Sequence, residues 1–187
     1  MKEIAIFASG TGSNFAALAE AFGAKQQAVR IVCLVCDHKD APVIEKATRA
    51  GIPVITVNYR DYATKAGAER AIVAALPPVD LVVLAGFMRI LGETLLTAFP
   101  GKIINLHPAL LPSFPGRTGI EDAFAYGVKV TGVTVHYVDA GVDSGEIIAQ
   151  APVRVRGDDT VDTLAARIHA VEHVLLPETV AQLLTSK

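Results

Sequence analysis

Ile31-Val32-Cys33-Leu34-Val35-Cys36 is an unbroken apolar run rich in β-branched residues. Pro42–Ala50 follows, opening on proline and closing at Gly51, which is the punctuation of a helix. Val54–Val57 then resumes an apolar, β-branched pattern. A strand without polar alternation is buried on both faces. Strand, helix and strand in quick succession therefore predict a parallel sheet with helices on its faces. The same unit recurs on either side. Ile4–Ser9, Leu81–Ala85 and Ile103–Leu106 read as strands, and Asn14–Phe22, Asp61–Leu76 and Glu93–Phe99 as helices.

After Leu106 the pattern changes. Leu110-Leu111-Pro112-Ser113-Phe114-Pro115-Gly116 is a proline-rich loop, and a helix over Ile120–Tyr126 ends at Gly127. Val133–Val138 and Ile147–Val155 read as two long strands joined through Asp139–Gly145, an antiparallel addition to the sheet. Thr160–Leu184 reads as a closing amphipathic helix, broken at Pro177. No repeat, linker or low-complexity tract interrupts residues 1–187, so a single domain of α/β class is expected.

Cys33 and Cys36 have the C-x-x-C spacing of redox and zinc motifs. On a strand, residues i and i+3 point to opposite faces, and no second ligand pair accompanies them. They are expected to be core residues, and no metal is expected. Hydrophobic residues make up 51% of the chain, the net charge is −2 and the pI is about 6.2. No apolar run approaches the ~20 residues of a membrane helix. The absence of a basic run argues against nucleic acid. Met1–Phe7 is too short and too acidic for a signal peptide and reads as part of the first strand, so a cytoplasmic location is expected.

Polar chemistry collects at the strand exits. Gly10-Thr11-Gly12-Ser13-Asn14 follows the first strand and opens a helix. Its backbone N–H groups and the helix N-terminus suit a phosphate. A dinucleotide site and a plain turn are the alternatives. Phe15 occupies the third small position of a dinucleotide fingerprint, although Asp37 follows the second strand as a ribose-binding acid would. Leu84–Leu91 is either core with one surface Arg or an apolar slot for a flat heterocycle. Asn105-Leu106-His107-Pro108 places an amide and an imidazole at the exit of an apolar strand that Pro108 ends. Asp143 lies in a glycine-flanked loop. Together these three supply an amide donor, a titratable proton and an acid to tune it. His136, between Val135 and Tyr137, reads as a hydrogen-bonded structural histidine, and Glu172-His173 as a solvated helix face.

Gly10–Asn14, Ala85–Leu91, Asn105–Gly116, Thr131–His136 and Asp143-Ser144-Gly145 occur together and in order. With them the whole chain resembles the phosphoribosylglycinamide formyltransferases, folate-dependent enzymes of purine synthesis. The Asn/His/Asp set is shared across the formyltransferase superfamily. Gly10–Asn14 and Glu172-His173 are more particular to this branch. The resemblance implies a three-layer, Rossmann-like formyltransferase fold. It also implies 10-formyltetrahydrofolate as co-substrate and glycinamide ribonucleotide as acceptor, with a monomer or homodimer as the assembly. Asn105, His107 and Asp143 would be catalytic, and Gly12, Ser13 and Asn14 would hold the substrate phosphate. His169 and Glu172 would face the ribonucleotide. The folate would lie against Met88, Arg89, Ile90 and Leu91, and against Asn105, Asp139, Ala140, Gly141, Val142 and Asp143, with Lys65 nearby.

The residues agree with that chemistry. An amine attacking a formyl carbon builds charge on oxygen, which Asn105 and a cationic His107 can stabilise. No covalent nucleophile is needed, because two substrates held together react directly. Two relatives are less well matched. Formyltetrahydrofolate hydrolases carry an extra N-terminal domain, and methionyl-tRNA formyltransferases a C-terminal nucleic-acid-binding domain. Neither is expected in a chain whose first strand starts at residue 3 and whose end has no basic extension. A nicotinamide-dependent oxidoreductase would rest on Gly10–Asn14 and Asp37 alone.

Overall fold

The structure, a computed structural model, describes residues 1–23 and 28–185. Its strands are β1 (Lys2–Ala8), β2 (Val29–Cys36), β3 (Val54–Thr56), β4 (Leu81–Leu84), β5 (Ile103–His107), β6 (Val130–Tyr137) and β7 (Ile147–Arg154). They form one seven-stranded sheet in the order β3-β2-β1-β4-β5-β6-β7. The pairs from β3 to β5 are parallel, whereas β5–β6 and β6–β7 are antiparallel. The apolar runs thus become the buried parallel strands they predict, and the two later strands become the antiparallel edge.

Helices cover both faces. The core on one face joins β-strand residues such as Ile4, Ile6 and Leu34 to α1 (Ser13–Phe22), α2 (Pro42–Arg49), α5 (Gly119–Tyr126) and α6 (Val161–Thr185). The opposite core packs Ala5, Phe7, Val35 and Val82 under α3 (Lys65–Ala75) and α4 (Glu93–Ala98). Cys33 belongs to the second core and Cys36 to the first, as a period of two requires. Both are free thiols, and burial pushes Cys33 up to about 11, so it packs as an inert apolar residue.

Two helices differ from their sequence reading. The Asp61–Leu76 segment does not form one helix. A 3-10 turn occupies Tyr59–Asp61, and α3 starts only at Lys65, where the Thr64 hydroxyl caps the Gly67 N–H. Pro177 does not break the last helix, which runs unbroken for 25 residues. Leu176, Pro177 and Val180 are all buried, and that packing offsets the hydrogen bond the proline cannot make.

The topology fixes where a ligand can sit. From β1 the chain moves outward to β2 and β3, then returns to lay β4 on the other flank of β1. In a parallel sheet such a reversal opens a crevice at the carboxyl ends of the two diverging strands. Those ends lead into Ser9–Gly12 and into Ala85–Gly92.

Candidate active site

Strand register assembles the central group of side chains. Asn105 and His107 are two apart on β5 and share a face, and antiparallel pairing puts His136 of β6 opposite Asn105. β4 stops at Leu84, level with Asn105, so β5 runs on past it toward the crevice, paired with β6. The loop after β6 then returns Asp143 to this face. Asn105, His107, His136 and Asp143 thus line one cavity of about 310 Å³.

Hydrogen bonds assign the protons. His107 is 3% exposed, and its Nε2 lies 2.8 Å from the Phe114 carbonyl oxygen. A carbonyl only accepts, so Nε2 carries a proton and Nδ1 is the basic nitrogen. That Nδ1 is 3.4 Å from Asp143 Oδ2. The Phe114 carbonyl is presented from a backbone at φ +54°, a left-handed conformation that costs a non-glycine residue of order 1–3 kcal/mol. His136 Nδ1 donates to the Tyr137 carbonyl at 2.8 Å, leaving Nε2 to accept from Asn105 Nδ2 at 3.2 Å. One N–H of the Asn105 amide is thereby tied to His136, and the other is available to a ligand.

Asp143 also has a left-handed backbone, with φ +51°. Its Oδ2 accepts the Gly116 N–H at 2.7 Å, and its Oδ1 is 3.6 Å from His136 Nε2. Burial opposes its ionisation. The contact with His136, the Gly116 amide and the nearby His107 imidazole outweigh burial and hold the carboxyl below its usual range. The result is an anion between two imidazoles, facing a pocket with one free amide donor.

The walls of this cavity are apolar. Met88, Arg89, Ile90 and Leu91 form one side, and Val138, Asp139, Gly141 and Val142 the other. Ala140 belongs to the same loop but does not line the cavity. Lys65 is exposed at the start of α3. It lines an adjoining groove that shares Met88, Arg89 and Ile90 with the cavity, rather than the cavity itself.

A second cavity, about 680 Å³, lies across the crevice. It is lined by Gly10, Gly12, Ser13 and Asn14 from the β1–α1 turn, and by His169 and Glu172 from α6. α1 has no side-chain N-cap and no acid in its first turn, so its leading N–H groups remain available to an anion. Gly12 is required twice over. Its φ is +70°, and a Cβ there would sit 2.4 Å from Val43 Cγ2. Glu172 Oε2 is 2.9 Å from both Asn14 Nδ2 and His169 Nδ1. At 4% exposure Glu172 is not part of a solvated helix face. Its hydrogen bond raises the pKa of His169 against the effect of burial, with added help from its charge.

Each residue expected at the phosphate, Gly12, Ser13 and Asn14, lines the second cavity beside His169 and Glu172. The ribose-acid reading of Asp37 fails, because its buried carboxylate is taken up by Arg89 and His38. His136 was legible only as a structural histidine. Its contact with Asn105 depends on the β5–β6 register, which alternation within β6 does not reveal.

The formyl transferase family matches residues 2–180. A phosphoribosylglycinamide formyltransferase from Bacillus subtilis is 47% identical over 98% of this chain and 95% of its own length. The chain belongs to the phosphoribosylglycinamide formyltransferase family. A Mycobacterium tuberculosis member is likewise 47% identical, over 97% of this chain and 85% of its own. The crystal structure of the Bacillus halodurans member superposes with a TM-score of 0.95 at 45% identity, covering 99% of this chain and 96% of that one. Membership makes this chain a formyltransferase of purine biosynthesis. The family fold is the three-layer α/β sheet described above. Among the described residues no helix is long and apolar enough to cross a membrane.

Proposed function

We propose that residues 1–187 act as one domain that transfers the formyl group of 10-formyltetrahydrofolate to the amine of glycinamide ribonucleotide. The observation that carries this reading is the shared wall between the two cavities. Gly86, Met88, Arg89, Leu106, Pro108 and Arg117 line both, so an apolar pocket and an anion-accepting pocket open onto each other beside His107. The folate ring would occupy the pocket bounded by Met88–Leu91 and Asp139–Asp143, with Lys65 beyond it. The ribonucleotide phosphate would meet the N–H groups of Gly12, Ser13 and Asn14, with its sugar toward His169 and Glu172.

In that arrangement the amine attacks the formyl carbon directly. The carbonyl electrons move to oxygen, where the free N–H of Asn105 and protonated Nδ1 of His107 donate. One such donor is worth about 3 kcal/mol in acyl transfer. The C–N bond to the folate then breaks as His107 delivers a proton to the departing nitrogen, and the proton lost by the attacking amine passes to His107 and restores its cationic form. The Asp143 carboxylate stabilises the imidazolium form of His107 throughout. Holding both substrates in register supplies much of the remaining rate. The enzyme would work in the cytoplasm as a monomer or homodimer, with no nucleic-acid, membrane or metal partner.

Single-turnover assays with and without glycinamide ribonucleotide test the reading. The expected product is formylated ribonucleotide, formed only when the amine is present. Formate release at the same rate without it would instead favour hydrolysis of the donor.

A further inference from the structure

The wall at Gly86–Leu91 has no regular secondary structure, yet it borders both cavities. Something other than a strand ladder must define its shape. At its start, the Met88 N–H donates to Ser9 Oγ at 2.9 Å, and the same Ser9 side chain favours the charged form of Asp37. One residue further on, Arg89 Nε donates to Asp37 Oδ2 at 2.5 Å. The Arg89 guanidinium also lies 4.1 Å from the centre of the Tyr59 ring. Asp37 Oδ1 is 2.9 Å from His38 Nδ1. The Asp37 side chain is 1% exposed, so its carboxylate depends on these protein partners rather than on water. At the far end a second buried carboxylate, Glu69 of α3, accepts the Gly92 N–H at 2.6 Å. Two buried acids therefore clamp a segment that has no ladder of its own.

Resting on the reading above, we propose that Asp37 is a positioning residue for the donor side of the reaction. Through Arg89 and Ser9 it holds Gly86–Leu91 in the shape that receives the folate ring. Asp37 also borders the ribonucleotide cavity, but its oxygens are spent on protein partners, so it is a strut rather than a ligand. Burial works against its charge, while Ser9, His38 and Arg89 together keep its carboxyl below the usual range. The carboxyl therefore stays ionised to lower pH than an unpaired one would. An uncharged isostere would leave the Arg89 guanidinium without its counter-charge and release the wall.

Steady-state kinetics on Asp37→Asn, with each substrate varied in turn, decide the matter. The KM for the formyl donor should rise about tenfold, while kcat and the KM for the ribonucleotide stay within about twofold of wild type. Ser9→Ala removes the Met88 bond but leaves the Asp37–Arg89 pair in place, and should shift the same constant in the same direction by less. That milder variant keeps the test decisive if Asp37→Asn folds poorly by thermal melting. In an Arg89→Ala background, Asp37→Asn should add far less than it does alone, because most of its effect passes through Arg89. Equilibrium binding of a non-transferable reduced-folate analogue reads the same loss without turnover. A wild-type chain that failed to transfer formyl would count against the activity, while the binding loss would still decide on Asp37. A rise in the ribonucleotide KM instead, unchanged constants for both substrates, or independent losses in the double variant would overturn the assignment.

Discussion

The two cavities that meet at Met88 and Arg89 are built by different means. The ribonucleotide side is largely backbone, with a glycine turn and the uncapped start of α1 supplying N–H groups. The folate side is largely side chain, with four polar groups from β5, β6 and a loop aimed into an apolar slot. A backbone site tolerates changes of side chain but not an added Cβ where the chain turns. A side-chain site tolerates little loss of a functional group but rests on an ordinary strand. The contrast predicts which substitutions remove chemistry, which remove shape and which only retune affinity.

The largest effects are expected on the side-chain half. His107→Ala and Asp143→Asn should each lower kcat by roughly two or more orders of magnitude while the protein stays folded. Asn tolerates the left-handed backbone at 143 and can still accept the Gly116 N–H. In a double-mutant cycle on single-turnover transfer the losses should be strongly non-additive, since the two residues act as one unit. Full additivity, or normal turnover in Asp143→Asn, would break the pairing of His107 with Asp143.

Gly12→Ala probes the backbone half. The new Cβ meets Val43 at 2.4 Å and the residue keeps a φ of +70°, so stability should fall by about 1–3 kcal/mol in denaturant titrations. Ribonucleotide affinity should fall with it, whereas His107 chemistry on bound substrate should survive. An unchanged unfolding midpoint would mean that α1 and α2 part without cost.

Ser13→Glu sharpens the comparison further. Its carboxylate stands at the helix start where the phosphate would bind, so ribonucleotide affinity should drop roughly tenfold or more. Folate-analogue affinity should be nearly intact. Equal losses for both ligands by calorimetry would make the turn purely structural.

The mildest effect concerns pH. The pKa of His169 is raised in the folded protein, so the stability it adds is fully present below about pH 6.5 and is lost as pH rises through the folded value. Asp143 has the opposite sign. Its contribution is present above the ordinary carboxylate value and is lost as pH falls through its lowered one. Ribonucleotide affinity should weaken as His169 loses its proton, and His169→Lys should flatten that profile near neutrality. A profile that His169→Lys leaves unchanged would remove His169 from the phosphate's surroundings.

Much of this molecule was legible before its structure. Pro42 and Gly51 punctuate α2, continuous apolar runs mark the parallel strands, and the spacing of Cys33 and Cys36 sorts them into opposite cores. Each of these signals is local. What could not be read is long-range. Asn14 meets Glu172 across most of the chain, His136 finds Asn105 through strand register, and Arg89 finds Asp37 across 52 residues. Asp143 could be placed only in a glycine-flanked loop, because its partners Gly116, His107 and His136 arrive from three other segments. The start of α3 was missed for a different reason, since Thr64 competes as a cap with continued helix at Asp61.

The bond between Asn14 and Glu172 bears on how the protein matures. It joins residues 158 positions apart, so the ribonucleotide cavity is closed only after the last helix docks against the first. Such a contact carries the full loop-closure entropy of the chain and forms late in folding. On a ribosome, β1 to β5 leave the exit tunnel before α6 does. A chain stalled before residue 161 would lack His169, Glu172 and the helix that packs beside α1, so the proposed ribonucleotide cavity would stay open.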